Sequence, residues 1–171
     1  AIDPLKKFPK KTNKIIFTGK LNSSKGYDIF GKSIVKILDK HKNWKALAIG
    51  NEPREKFNFK HPNFKILDWV KHKKILKYYN NSAISVVPSK WQEPFGRTAM
   101  ESAAAGCATI TSTKGGLPET FDNKLFIKQV NESELFNMVN FLIKNKKIRR
   151  KHQQFNWRNV KHKLSDKVKK I

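Results

Sequence analysis

Glu93 and Glu101 are separated by seven residues in the stretch SKWQEPFGRTAMESAAAG, residues 89–106. An apolar run ending at Val87 and Pro88 precedes it and a helix-forming run, 97–105, follows, so the pattern predicts a strand that turns through a loop into a helix. Phe95, Gly96 and Arg97 then fall at the helix start. Unpaired backbone N–H groups and the positive end of the helix dipole make that position a seat for a diphosphate. Gly96, with no Cβ, lets the backbone come close to it. With the helix beginning near Gly96, Glu101 lies one to two turns inside and Glu93 hangs in the loop, on the order of 10 Å away. Carboxylates repel phosphate but accept hydrogen bonds from hydroxyls. Two of them flanking one anion seat suit a ligand with hydroxyls at both ends and charge in the middle: a sugar on Glu93 and a ribose on Glu101. A nucleotide-diphosphate sugar has that layout. Either glutamate alone reads equally well as a carboxylate stabilising the helix dipole.

A second polar loop, FTGKLNSSKGYD at 17–28, follows the first predicted strand. Gly19 and Gly26 bracket it, and Lys20 and Lys25 stand where they can counter phosphate charge across a crevice from Gly96. A third, TKGGLPE at 113–119, turns at the same edge after a later strand. Its glycines fit either a tight turn or a ligand-lining loop.

Strands are expected at 14–18, 45–49, 64–67, 83–87, 107–111 and 124–127. Apolar residues at three- and four-residue steps mark helices between them: Ile29, Phe30, Ile34, Ile37 and Leu38, then 72–79, 97–105 and 133–144. Alternating strands and helices predict an α/β fold, a Rossmann-like doubly wound parallel sheet of about six strands with helices on both faces, whose ligand site lies beyond the carboxyl ends of the strands. Residues 1–13, with Asp3-Pro4 and paired lysines and no initiator Met, read as a linker remnant from a longer chain. Residues 14–145 are expected to form one domain, which the layout above makes a nucleotide-sugar-binding one. The tail, 146–171, reads as a basic amphipathic helix with Trp157, Val160, Leu164, Val168 and Ile171 on one stripe. That stripe either docks on this domain or a partner domain, or faces an anionic membrane.

A length of 171 residues supports a real hydrophobic core. Cys107 has no second cysteine to pair with, which excludes a disulfide framework and fits a reducing, cytoplasmic compartment. No apolar run approaches the roughly 20 residues of a membrane-spanning helix. The formal charge of +24 favours anionic partners, yet only five of the 37 basic residues are Arg, so most of the charge also reads as a solvated lysine surface. His41, His61, His72, His152 and His162 show no metal-ligand spacing. Helix-turn-helix, zinc-finger and RNA-recognition motifs are absent, so no specific nucleic-acid partner is expected.

The two glutamates within EPFGRTAMESAAAG, the Gly19-to-Gly26 loop and the Gly115-Gly116-Leu117-Pro118-Glu119 turn together carry a resemblance. Nearly the whole chain resembles the C-terminal, donor-binding domain of family-4, GT-B-fold retaining glycosyltransferases. The resemblance implies two Rossmann-like domains facing across a cleft, with the N-terminal acceptor-binding domain outside this chain. It implies that Glu93 is catalytic, holding sugar hydroxyls and stabilising an oxocarbenium-like transition state. Phe95 and Gly96 would offer backbone N–H groups, and Arg97 and Gly19 would complete the donor contacts. Glu101 would bind ribose, and Trp69 and Val70 are the expected neighbours of the base, with Trp69 fitting the core as well. Lys20 and Lys25 would neutralise the leaving diphosphate, with neither metal nor other cofactor required. Two departures stand out: Lys20 replaces the usual Arg and loses its bidentate fork, and residues 120–129 lack the family's glycine-bearing turns. A nucleotide-sugar epimerase half and a non-catalytic polyanion-binding module remain alternatives.

Overall fold

The computed structural model describes residues 7–168, with side chains over 7–160. In chain order the elements are β1 (Thr12–Thr18), α1 (Tyr27–Lys40), β2 (Lys45–Ile49), β3 (Phe64–Leu67), α2 (His72–Asn81), β4 (Ser82–Val87), α3 (Arg97–Ala104), β5 (Ala108–Ser112), α4 (Leu117–Thr120), β6 (Phe126–Ile127), α5 (Glu132–Lys144) and α6 (Lys146–Val168). Among the described residues six strands form one parallel sheet, ordered β3-β2-β1-β4-β5-β6. The expected doubly wound architecture is present. From β1 the chain winds outward to β3, then returns to place β4 on the other side of β1. The loops leaving β1 and β4 therefore diverge to opposite faces and leave a crevice between them.

Strand boundaries move where local hydrogen bonds compete with the ladder. β5 starts at Ala108 because the Cys107 N–H still closes the preceding turn onto Ser102 O at 3.1 Å. β6 shrinks to two residues because Asn123 Oδ1 takes the Leu125 N–H at 3.0 Å.

β4 and β5 are buried along nearly their whole length, as a parallel sheet covered on both faces demands. The α1 stripe read from the sequence, Ile29, Phe30, Ile34, Ile37 and Leu38, packs with Leu135, Val139 and Leu142 of α5 over Ile15, Phe17, Ile84 and Ile110. On the other face, Ile75 and Tyr79 of α2 cover Ile16, Leu47 and Ile49, while Ala99, Met100 and Ala103 of α3 meet Val160 of α6.

The tail docks through a face that shares Val160 with the stripe its hydropathy predicts and extends it toward polar residues. α6 buries Arg149, Gln153, Asn156 and Val160, at helical spacing and mostly polar. Gln153 Nε2 donates to Ala83 O at 2.9 Å and Asn156 Nδ2 to Cys107 O at 2.8 Å. These amides satisfy carbonyls at the starts of β4 and β5, where buried acceptors must find partners. Of the expected stripe, Val160 is buried and Trp157 is half-buried, edge-on to Phe8 at 5.7 Å; the side chains of Leu164, Val168 and Ile171 lie outside the described residues. Just before β1, Lys11 Nζ donates to Tyr79 O at 3.0 Å and Ala105 O at 2.6 Å, joining the carboxyl ends of α2 and α3. Burial lowers the pKa of that amine.

Candidate functional site

The crevice is built by two loops locked to each other. Ser24 O accepts from Lys90 N at 2.9 Å and Trp91 N at 3.1 Å, tying the β1–α1 loop to the β4–α3 loop. Gly26, the N-cap of α1, has φ 74°, and a Cβ there would overlap Pro88 O. Only glycine meets both demands without strain. From the other side, Asn22 Nδ2 donates to Glu52 Oε2 at 3.2 Å, and Ser23 N and Oγ donate to Glu55 Oε2 at 3.3 and 3.0 Å. The Arg54 side chain and N–H hydrogen-bond Glu52 and hold its carboxyl down at about 2. Glu52 and Glu55 carry no motif signal in the sequence; they are found by proximity to this loop.

Between the loops lies a cavity of about 200 Å³ walled by Gly19, Lys25, Ser89, Glu93, Phe95, Gly96 and Arg97, among others. That is below the roughly 300–1,000 Å³ of ordinary small-molecule sites, so it has room for only part of a nucleotide sugar. Lys25 Nζ and Ser89 Oγ both donate to Glu93 Oε1, at 2.5 and 2.8 Å. Glu93 Oε2 has no hydrogen-bond partner among the described residues and remains able to accept a hydroxyl.

α3 starts at this cavity with neither a side-chain cap nor an acidic residue in its first turn. Arg97 N–H turns back to Phe95 O at 2.8 Å, so the first backbone N–H of the helix is already used. Gly96 is buried at the cavity wall, and the absence of its side chain also serves packing. A Cβ at 96 would come within 2.5 Å of Leu117 Cδ2 and 2.9 Å of Thr120 Oγ1, so the missing side chain lets α4 pack against the start of α3. The glycine turn after β5 is likewise a buttress. Gly115 has φ 56° and its Cβ would strike the backbone of Glu93. Gly116 N–H donates to Glu93 O at 2.5 Å and Gly115 N–H to Gln92 Oε1 at 2.7 Å. Neither glycine lines the cavity; both fix the loop that carries Glu93.

Glu101 sits one turn into α3 and is buried, its carboxylate shared by two donors from different elements. His72 Nε2, at the start of α2, lies 3.0 Å from both oxygens, and Arg97 Nε lies 2.9 Å from Oε1. The cavity thus gathers Gly19, Lys25, Glu93, Phe95, Gly96 and Arg97, and Arg97 links it to Glu101. Lys20 is exposed and outside the cavity wall. Trp69, 53% exposed, and half-buried Val70 follow β3 and are also outside it; the exposure overturns the core reading of Trp69. Ser89 and His72 were not legible as site residues: one is a common loop serine, and the other meets Glu101 only through packing of α2 beside α3.

Residues 2–157 match the family model described as Glycosyl transferases group 1. The chain belongs to that family. Among curated relatives, spore coat protein SA of Bacillus subtilis is 31% identical over 121 residues, 63% of this chain and 32% of that protein. The 2-deoxystreptamine N-acetyl-D-glucosaminyltransferase of Niallia circulans is 27% identical over 119 residues, 66% of this chain and 30% of that protein. This chain spans about a third of the length of such relatives. The solved C-terminal domain of a glycosyl transferase group 1 family protein from Francisella tularensis superposes with a TM-score of 0.75 at 26% identity, covering 93% of this chain and 89% of that one. An Anabaena structure solved with UDP-glucose shares the fold, with a TM-score of 0.70 at 15% identity over 94% of this chain and 49% of that one. The group 1 assignment agrees with the α/β fold and the resemblance read from the glutamate motif.

Proposed function

We propose that this chain is the donor-binding domain of a sugar transferase, holding a nucleotide-diphosphate sugar for transfer with retention to an acceptor carried by an N-terminal domain. The observation that carries the reading is Glu93, paired with Lys25 and Ser89 at a cavity formed by the uncapped start of α3. Glu93 Oε2 accepts sugar hydroxyls and its charge stabilises positive charge developing at the anomeric carbon. The start of α3, Lys25 and the exposed Arg97 guanidinium neutralise the departing diphosphate, which makes the step independent of a metal. Lys20 reaches the phosphates from outside the cavity wall. Glu101 receives the ribose, and the base lies toward Trp69 and Val70. The cavity volume, too small for the whole donor, supports completion of the cleft by the second domain.

The test is a chemical-shift titration of the chain with uridine, guanosine and adenosine diphosphate sugars. Shifts at Gly19, Lys25 and 93–101 that saturate in the micromolar to millimolar range support the reading. Their absence with every donor overturns it. Glu101→Ala should weaken the tightest donor by about 1.5–3 kcal/mol.

We further place the protein in the cytoplasm, in peripheral contact with an anionic membrane. No helix among the described residues is long and apolar enough to cross a membrane. With Val160 buried, the outer face of α6 supports the contact instead: Ile148 and Phe155 are exposed beside Lys147, Lys151 and Arg158. Flotation with anionic but not neutral vesicles is the expected result; equal flotation with both, or none, removes this contact.

A further inference from the structure

We propose that His72 is a positioning residue for nucleotide recognition, acting through Glu101; the inference rests on the reading of Glu101 as the ribose acceptor. Glu101 is buried, and a buried carboxylate is tolerated only when its oxygens are paired. Two donors pair it here, and they come from different places. Arg97 is on the same helix, four residues back, and its side chain is 75% exposed, so it is free to lean toward a diphosphate in the adjoining cavity. His72 comes from α2, across the packed interface of α2 and α3, and stands 3.0 Å from each oxygen of Glu101.

A carboxylate only accepts, so His72 Nε2 is the donor of that contact. A donor equidistant from both oxygens fixes the rotation of the carboxylate plane, which one contact from Arg97 to Oε1 does not. About four lone-pair positions are available on the two oxygens, and the three contacts leave acceptor capacity on Oε2 in a set direction. A ribose offers two adjacent hydroxyls whose geometry demands such a fixed acceptor. His72 thereby tunes affinity for the ribose while touching neither phosphate nor sugar. It also anchors the start of α2 beside Trp69 and Val70, so the ribose and base ends of the donor site are held by one contact.

The experiment is calorimetry on the 171-residue chain with three probes: the tightest-binding nucleoside diphosphate among ADP, GDP and UDP, its 2′,3′-dideoxy counterpart, and inorganic pyrophosphate. His72→Ala should weaken the nucleoside diphosphate about tenfold and leave the dideoxy compound and pyrophosphate unchanged. His72→Gln, which keeps an N–H donor, should stay within about threefold of the unsubstituted chain. Unchanged nucleoside diphosphate affinity in His72→Ala, equal weakening of all three probes, or a Gln variant as weak as Ala each overturns the proposal. Failure of the unsubstituted chain to bind any nucleoside diphosphate would instead defeat the donor-site reading itself.

Discussion

Lys25 Nζ and Glu93 Oε1, 68 residues apart in the chain, meet at 2.5 Å across the crevice between the β1–α1 and β4–α3 loops. In the proposed donor site, the pair sets a positive charge against the carboxylate assigned to the sugar and beside the position assigned to the diphosphate. Lys25→Ala should reduce nucleotide-sugar affinity at least tenfold in calorimetry. Its stability should fall by no more than about 1 kcal/mol, because the lysine is about a third exposed and such pairs contribute little to folding. Unchanged affinity would show that Lys25 serves Glu93 alone.

Gly26 is the position where backbone geometry and loop packing coincide. Gly26→Ala combines a left-handed φ of 74° with overlap on Pro88 O. Left-handed backbone alone costs roughly 1–2 kcal/mol for a residue with a Cβ, so urea denaturation should show a loss of about 2 kcal/mol or more. Donor binding should fall with it, because the tie from Ser24 O to Lys90 and Trp91 runs through this junction.

Gln153 and Asn156 dock α6 by donating to Ala83 O and Cys107 O. Gln153→Leu removes the amide donor to Ala83 O, and Asn156→Leu leaves Cys107 O with the longer 3.3 Å contact from Thr109 Oγ1, at about 1–3 kcal/mol each. Denaturant midpoints should drop while the slope of the transition stays constant. A Leu variant as stable as the parent would mean that water or another donor reaches the strand start.

The pH dependence of folding should bend at both ends. Arg54 holds Glu52 down at about 2 in the folded chain against an ordinary value near 4.5. The stability it contributes is full above about 4.5 and lost as pH falls toward 2, because the unfolded chain takes up the proton first. Burial pushes Tyr27 up to about 12 from 10. Its contribution is full below pH 10 and is lost as pH rises to 12, where only the unfolded chain ionises. Glu52→Gln should flatten the acid limb and Tyr27→Phe the alkaline limb in melting curves recorded across pH; limbs unchanged by these substitutions would place the titrations elsewhere.

The sequence by itself determined the periodicities that make six strands and their covering helices, and hence a crevice at the carboxyl ends of β1 and β4. It also determined the local geometry around 93–101, because a strand, a glycine-bearing loop and a helix start are set by residues adjacent in the chain. Glu93, Phe95, Gly96 and Arg97 are neighbours for that local reason, and Gly19 and Lys25 face them because their loop leaves β1 at the same crevice. What only the tertiary structure decided are contacts between elements distant in the chain and fixed by packing. His72 reaches Glu101 because α2 and α3 lie side by side on one face of the sheet. Gly96, Gly115 and Gly116 serve the approach of neighbouring segments, a purpose a glycine does not advertise in sequence. The docking face of α6 answers carbonyls at the strand starts that need donors, so Gln153 and Asn156 go inward beside Val160 of the expected apolar stripe.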